Sequence, residues 1–209
     1  IEFLFKKNKV DYVKGHGAVT GDNTVEVTAT DGTKQTLTGA NILVTTGCKS
    51  RELPPLPFNG TSVISSKEAM NLAEQPKSLA IIGAGAIGVE FAYIYNAFGT
   101  KVTLVEMMPN ILPVEDRDIS NLLERNFKKQ GIKVMTSTKV TSTQASGDGV
   151  EITIEKEPGM PEALNAETVL VAIGVAPVLP AGIEPELERG YIVTDERYQT
   201  SVPGVFAAG

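Results

Sequence analysis

Residues 79–90 read "LAIIGAGAIGVE", in which three glycines separate a short apolar run from a segment with helical character. Residues 78–83 predict a buried strand, and residues 86–98 predict a helix that is apolar on most sides and therefore buried. Gly83, Gly85 and Gly88 follow the pattern G-x-G-x-x-G between that strand and that helix. This is the context in which the pattern indicates a dinucleotide-binding loop.

Each glycine of this loop has a separate physical purpose. Gly83 permits a tight turn, Gly85 carries no side chain that would keep a pyrophosphate away, and Gly88 lets the helix pack close to the strand. The free amide groups at the start of the helix carry about half a positive charge and can hold phosphates. Standing alone, the pattern is also compatible with a buried strand that merely ends in a glycine turn.

Glu106 strengthens the dinucleotide interpretation because it closes the next predicted strand, "KVTLVE" at 101–106, 23 residues after Gly83. A carboxylate at this position can accept hydrogen bonds from the ribose hydroxyls of adenosine and would repel a ribose phosphate. The four residues that follow it include no arginine. The pattern therefore favours NAD over NADP, the alternative being a solvated acid at a strand end.

The remaining pattern predicts an α/β fold with two antiparallel meanders. The proline-rich stretch "CKSRELPPLPFNG" at 48–60 predicts a stiff connector and a first domain boundary. Residues 3–40 predict a three-stranded meander, and helices are predicted at 66–74, capped by Ser65 or Ser66, and at 115–131. The second of these helices should place Ile119, Leu122, Leu123 and Phe127 on one buried face. The second meander is predicted from strands at 138–144, 149–156 and 166–173. Further strands are predicted at 41–47, 132–135 and 204–209, the last after a short strand pair within residues 190–203.

Three predicted strands end in glycine, namely "ILVTTG" at 42–47, "VLVAIG" at 169–174 and "GVFAAG" at 204–209. The first two each follow a three-stranded meander. Ligands of parallel sheets lie at the carboxyl ends of strands, where glycine allows close approach to the backbone. This repetition indicates two nucleotide sites, although any single buried strand can end in glycine.

Composition excludes several classes of partner. The chain of 209 residues has 19 Lys and Arg against 25 Asp and Glu, and this net charge of −6 disfavours nucleic acids and acidic membrane surfaces. Its longest apolar stretch, residues 79–89, is far shorter than the ~20 residues that span a bilayer. A single cysteine, Cys48, excludes an internal disulfide and favours a reducing, cytoplasmic compartment. The start at Ile1 and the end at Gly209 suggest a piece of a longer protein.

Six segments together resemble the FAD-dependent pyridine nucleotide–disulfide oxidoreductases, and among them the dihydrolipoamide dehydrogenases. In chain order they are "KGHGAVTG", "ILVTTG", "IIGAGAIGVE", "VTLVE", "VLVAIGVAP" and "RYQTSVPGVFAAG". The resemblance implies a Rossmann-like, three-layer FAD/NAD(P)-binding fold with antiparallel meanders as crossovers. It further implies a partial FAD domain, residues 1–62 and 190–209, into which an NAD domain, residues 63–189, is inserted.

The resemblance also implies the residues of two cofactor sites. Four positions match those that lie against FAD, and the remaining matches line NAD. Glu90 matches an acid that pairs with a lysine beside the flavin ring, a lysine not found in this chain, and is the one candidate catalytic residue. Cys48 is expected as a small packed side chain and not as a nucleophile. The FAD candidates are Gly17, Thr46, Gly47 and Cys48; the NAD candidates are Gly83, Ala84, Gly85, Ala86, Ile87, Gly88, Glu90, Glu106, Val140 and Gly174.

By the same resemblance, the parent protein would pass electrons from dihydrolipoamide through a redox disulfide and FAD to NAD. It would be a homodimer and a component of a 2-oxo acid dehydrogenase complex with lipoyl domains. Thiol exchange needs two cysteines, so the 209-residue chain alone is expected to bind NAD without reductase activity. Two alternatives remain open: a stand-alone NAD-binding module, and a segment of a related NADH oxidase or coenzyme A disulfide reductase.

Overall fold

A computed structural model describes residues 1–146 and 149–209, and the chain divides into two compact units. Unit 1 comprises residues 1–49 and 176–209, and unit 2 comprises residues 50–175. Both divisions fall earlier in the chain than the expected boundaries at 62 and 189. The first does so because Leu56 is fully buried and Leu53 is packed beside it in the core of unit 2. The proline-rich segment after Ser50 therefore belongs to unit 2 and is not a connector.

Unit 1 begins with a helix where the sequence pattern predicted a strand. Helix α1 spans Glu2–Lys7, so the prediction of a meander over 3–40 is wrong for its first residues. Glu2 lies in the first turn and Lys6 and Lys7 in the last, the arrangement that the helix dipole favours. An antiparallel meander and two short strands follow: β1 His16–Gly21, β2 Thr24–Thr28, β3 Lys34–Thr38, β4 Ile42–Val44 and β5 Cys48–Ser50.

Unit 2 is built on a parallel sheet of five strands in the order β6-β13-β7-β8-β9. Helices α3 and α4 follow its strands β7 and β8, as crossover helices of a parallel sheet do. The elements up to β9, in chain order, are β6 Val63–Ile64, α2 Ser66–Ala69, β7 Ser78–Ile82, α3 Ala86–Ala97, β8 Lys101–Val105, α4 Arg117–Lys129 and β9 Lys133–Met135.

The second meander consists of β10 Lys139–Ser146, β11 Gly149–Glu155 and β12 Pro161–Ala166. The prediction that residues 166–173 form its third strand is wrong. That segment instead supplies β13, Thr168–Val171, which pairs in parallel with β6 and β7. All four residues of β13 are buried, as expected of a strand covered on both faces, whereas β12 is mostly exposed.

Two apolar clusters cover the two faces of the parallel sheet. Ile81 and Leu104 belong to the cluster on the side of α3 and α4, while Ile82 and Val105 belong to the cluster on the side of the second meander. Successive residues of β7 and β8 thus enter opposite clusters, because side chains alternate along a strand. Unit 2 therefore has a helical layer, a parallel sheet and a meander layer.

The buried face of α4 differs from the predicted one. Phe127 is 2% exposed and Leu123 packs partly against the core, but Ile119 and Leu122 are 56% and 52% exposed. Ser120 is buried in their place. Its hydroxyl lies 3.2 Å from the Leu112 carbonyl oxygen and 3.1 Å from that of Asp116, so this polar side chain has partners inside the unit. An apolar pattern could not indicate a buried serine.

Helix α2 is shorter than the predicted helix over 66–74. Ser65 is its N-cap and forms a capping box with Glu68, which selects Ser65 over Ser66. The helix ends after Ala69 because the amide of Asn71 turns to the Glu68 carbonyl oxygen at 2.9 Å. The Asn71 side chain donates to the Lys67 carbonyl oxygen, which a further turn would have used.

The chain returns to unit 1 within β14, Val175–Pro177, and ends with three short strands, β15 Leu187–Glu188, β16 Tyr191–Ile192 and β17 Val205–Ala207. Strands β15 and β16 pair antiparallel, so the strand pair predicted within residues 190–203 begins earlier in the chain than expected. Strand β17 lies parallel to β4. Val44, Val205 and Ala207 form the small core of this part. Within the residues that the structure describes, no helix combines the length and the apolar character needed to cross a membrane.

Candidate functional site

The glycine loop between β7 and α3 is shaped by close backbone contacts. Gly83 has φ +101°, and a Cβ atom there would lie 2.5 Å from the carbonyl oxygen of Ala172. A Cβ atom at Gly88 would lie 1.9 Å from the carbonyl oxygen of Gly83. Both contacts are shorter than real side chains allow. Gly83 therefore requires glycine where it passes the end of β13, and Gly88 requires it where α3 packs against the loop after β7.

Gly85 differs because no atom lies within 4 Å of the position that its Cβ would take. It is the N-cap of α3, and the first hydrogen bond of the helix runs from the Val89 amide to the Gly85 carbonyl oxygen at 3.0 Å. The amide groups of residues 86–88 therefore have no acceptor in the preceding turn. Open space beside free amides is what an anion needs at a helix start.

Glu106 follows β8 and is only 8% exposed. Its Oε2 atom accepts a hydrogen bond from the Ala84 amide at 2.7 Å, and its Oε1 atom accepts one from the Met108 amide at 2.8 Å. Each carboxylate oxygen has two lone pairs, so both retain the capacity for a further donor. The carboxylate thus lies beside the glycine loop, as the sequence spacing indicated.

A cavity of about 560 Å³ opens at the carboxyl ends of the sheet strands in unit 2. Glu106 and the glycine loop share this cavity with the meander residue Val140. Seven of the candidate residues line it: Gly83, Gly85, Ala86, Ile87, Glu106, Val140 and Gly174.

Three other NAD candidates lie outside the cavity lining. Ala84 is fully buried and meets Glu106 through its amide. Gly88 is buried in the first turn of α3, and Glu90 is exposed on the same helix. The assignment of Glu90 as the catalytic residue stays a prediction, because the lysine that it would pair with is not in this chain.

Most of the apolar residues that line the cavity were not predicted from the sequence. Leu53 comes from the segment predicted to be a connector, and Met107, Pro113 and Val114 come from the segment between β8 and α4. Lys139 adds a cation at the start of β10. The position of residues 107–114 immediately after Glu106 was the available signal, since segments that follow strand ends border such a cavity.

The four FAD candidates all lie in unit 1 and are exposed. Gly17 is in β1, and Thr46, Gly47 and Cys48 follow β4. The exposure of Cys48 contradicts its expected packing, because this turn lies at the surface of the unit. Two hydrogen bonds hold the turn: the Thr46 hydroxyl donates to the Val178 carbonyl oxygen, and the Val178 amide donates to the Gly47 carbonyl oxygen at 2.9 Å. Their exposure leaves all four residues accessible to a ligand.

The cavity of unit 2 fits a dinucleotide. Its volume falls within the range of roughly 300–1,000 Å³ that is typical of small-molecule sites. It combines free helix-start amides for phosphates, a buried acid with spare acceptor capacity for hydroxyls, and an apolar lining suited to flat rings. Ala86, Ile87, Glu106 and Val140 are the residues that would hold such a ligand.

Comparison with known sequences agrees with this geometry. A family model described as pyridine nucleotide-disulphide oxidoreductase matches residues 1–209. A dihydrolipoyl dehydrogenase from Chlorobaculum parvum is 41% identical over 215 residues, which cover 100% of this chain and 45% of that protein. The mitochondrial dihydrolipoyl dehydrogenase 1 of Arabidopsis thaliana is 39% identical and is covered to 42%. The chain thus spans less than half the length of these relatives.

Solved structures show the same fold. LpdA from Mycobacterium tuberculosis superposes with a TM-score of 0.89 at 26% identity, covering 100% of this chain and 47% of that one. The HOCl-induced flavoprotein disulfide reductase RclA from Escherichia coli gives a TM-score of 0.80 at 29% identity, covering 100% of this chain and 49% of that one. Together with the match over residues 1–209, these similarities show that the chain belongs to the pyridine nucleotide-disulphide oxidoreductase family.

Proposed function

We propose that unit 2 binds NAD(H). The observation that carries the proposal is that the free amides at the start of α3 and the Glu106 carboxylate line one cavity. The amides of Ala86 and Ile87 would hold the pyrophosphate, and Glu106 would accept hydrogen bonds from the adenosine ribose. When bound, the nicotinamide group supplies the hydride chemistry, and the residues of this chain bind and orient it.

NAD is preferred over NADP on electrostatic grounds. A ribose phosphate would come against the buried Glu106 carboxylate, and like charges at close range repel. Met107 and Met108, which follow the acid, offer no positive charge. Lys139 lines the cavity but is exposed, and solvent weakens the attraction that it could provide.

The test is calorimetric titration of the chain and of a Glu106→Ala variant with NAD and NADP. Hydrogen bonds to a charged group contribute about 1.5–3 kcal/mol, so the variant should bind NAD at least ~10-fold more weakly. Glu115→Ala, which removes an exposed acid nine residues further along the chain, is the matched control and should leave the affinity unchanged. Equal NAD affinity in Glu106→Ala and the wild type would remove Glu106 from the site.

For the finer architecture, we propose that unit 2 is the NAD domain inserted into a partial FAD domain formed by unit 1. The three layers of unit 2, the repeated meanders and the similarity to a flavoprotein support this assignment. Gly17, Thr46, Gly47 and Cys48 would then contact FAD. Flavin absorbance in the purified chain would support the FAD assignment and argue against a stand-alone NAD module.

For the parent protein, we propose the oxidation of dihydrolipoamide with reduction of NAD, a reaction in which Glu90 would assist beside the flavin. The names of relatives at about 40% identity support this activity. The 209-residue chain has one cysteine, and thiol–disulfide exchange needs two thiols, so the chain itself should not turn over dihydrolipoamide. An NADH-absorbance assay that detects turnover by the isolated chain would contradict the proposal.

The partners and the compartment are proposals as well. We infer a homodimeric parent that works with the lipoyl domains of a 2-oxo acid dehydrogenase complex in a reducing, cytoplasmic compartment. The single cysteine supports the compartment, and the net charge of −6 argues against nucleic acid as a partner. Light scattering and pull-down with a purified lipoyl domain would test the assembly.

A further inference from the structure

Ala84, in the middle of the glycine loop, is held at both of its backbone polar groups by one neighbouring segment. Its amide donates to the Glu106 carboxylate at 2.7 Å, and its carbonyl oxygen accepts from the Leu112 amide at 2.8 Å. Its side chain is fully buried and lines no part of the cavity. The conformation of the loop is therefore tied to residues 106–112.

Glu106 is itself held firmly by its backbone. Its amide donates to the Met135 carbonyl oxygen at 2.8 Å, and its carbonyl oxygen accepts from the Thr138 amide at 2.9 Å. Met135 ends β9, and Thr138 precedes β10. Strand β9 and the turn after it therefore fix the base of the Glu106 side chain, whose carboxylate reaches the glycine loop.

We propose that Glu106 is a positioning residue for the phosphate-binding amides as well as a contact of the ribose. Its two carboxylate oxygens accept hydrogen bonds from the amides of Ala84 and Met108, and these bonds orient the glycine loop before a ligand enters. This inference rests on the proposed NAD site of unit 2, and it gives Glu106 a second role besides its contact with the ribose.

The positioning role requires a carboxylate and not merely a polar side chain of the same size. Two amide donors face the two oxygens of Glu106. A glutamine has only one oxygen, so its NH₂ group would meet one of the two backbone amides donor to donor. Glu106→Gln keeps the volume of the side chain but leaves one buried donor without an acceptor, which loosens either the loop or the turn at Met108.

Two probes separate the positioning role from the ribose contact. ADP carries the diphosphate and both ribose hydroxyls, whereas 2′,3′-dideoxy-ADP keeps the adenine and the diphosphate and lacks both hydroxyls. Titrations followed by ligand-observed NMR would compare the wild-type chain, Glu106→Gln and the control Glu115→Gln. The control loses the same charge nine residues away, on an exposed side chain.

The positioning role predicts that Glu106→Gln weakens the binding of dideoxy-ADP about tenfold, while Glu115→Gln changes it less than about twofold. Loss of ADP affinity with unchanged dideoxy-ADP affinity would overturn the positioning role and leave the proposed NAD site intact. Binding of ADP but not of dideoxy-ADP by the wild type would also overturn it, because the ribose contact would then carry the affinity. Failure of the wild type to bind either probe would overturn both proposals.

Circular dichroism would establish that each variant is folded. If Glu106→Gln does not fold, a measurement on the wild-type chain still tests the positioning role. A through-hydrogen-bond NMR coupling between the Ala84 nitrogen and the Glu106 carboxyl carbon would support the positioning role. Its absence, in a spectrum that resolves couplings across the β7–β8 ladder, would overturn it.

Discussion

Two glycines of the loop after β7 stand two positions apart and meet different surroundings. Gly83 has a positive φ and faces the Ala172 carbonyl oxygen, while Gly85 has φ −72° and faces open space in the cavity. The sequence pattern predicts different purposes for them, a tight turn at Gly83 and room for a pyrophosphate at Gly85. In the structure, Gly83 serves the packing of the fold, and Gly85 serves the space that a ligand would occupy.

Gly83→Ala should therefore destabilise the chain by about 3 kcal/mol, since it combines a left-handed backbone with a clash against backbone. Urea unfolding followed by circular dichroism measures this. Gly85→Ala is the matched control, and its stability should stay within about 0.5 kcal/mol of the wild type. Its NAD affinity should nevertheless fall tenfold or more, because the added methyl group projects beside the free amides. Equal stability losses in the two variants would contradict this distinction.

At the scale of the elements, α4 shows how burial is decided by the neighbours of a helix. Phe127→Ala should cost about 3–5 kcal/mol, because it opens a cavity in the core between helix and sheet. Leu122→Ala, on the same helix but half exposed, should cost less than about 1 kcal/mol. Denaturant titration of both variants measures these free energies of unfolding. Similar losses of stability would support the wider buried face of α4 that the sequence pattern predicts.

The cap of α2 should give stability that depends on pH. The hydroxyl and amide of Ser65 both donate to the Glu68 carboxylate and hold the pKa of that carboxyl below its ordinary value of 4.5. A carboxyl whose pKa is lower in the folded than in the unfolded state stabilises the fold fully at pH values above its unfolded-state pKa. This stability is lost as the pH falls through the folded-state pKa. Ser65→Ala should cost about 1 kcal/mol at pH 7. The difference from the wild type should shrink below pH 4.5, and thermal unfolding from pH 7 to pH 3 would show whether it does.

At the scale of the whole molecule, the cavity is a property of unit 2 alone. Every residue that lines it lies between Leu53 and Gly174, inside residues 50–175. An excised chain of residues 50–175 should therefore unfold in one cooperative transition and bind NAD within about threefold of the affinity of the complete chain. Calorimetric titration with NAD measures the affinity of the excised unit and of the complete chain. Loss of binding in a folded excised unit would mean that unit 1 contributes to the site.

The sequence by itself determined the strand, glycine turn and helix at residues 78–98, the parallel strand after it and the place of Glu106 at a strand end. These features are local, because backbone sterics and side-chain alternation act over a few residues. Only the tertiary structure decided that β13 joins the parallel sheet, that Ser120 is buried while Leu122 is exposed, and that Leu53 reaches the cavity. Only the fold could show that Glu106 accepts the amide of Ala84. Each of these features joins residues that are distant in sequence or depends on which face of a helix or strand its neighbours cover. The spacing of residues along the chain encodes neither property.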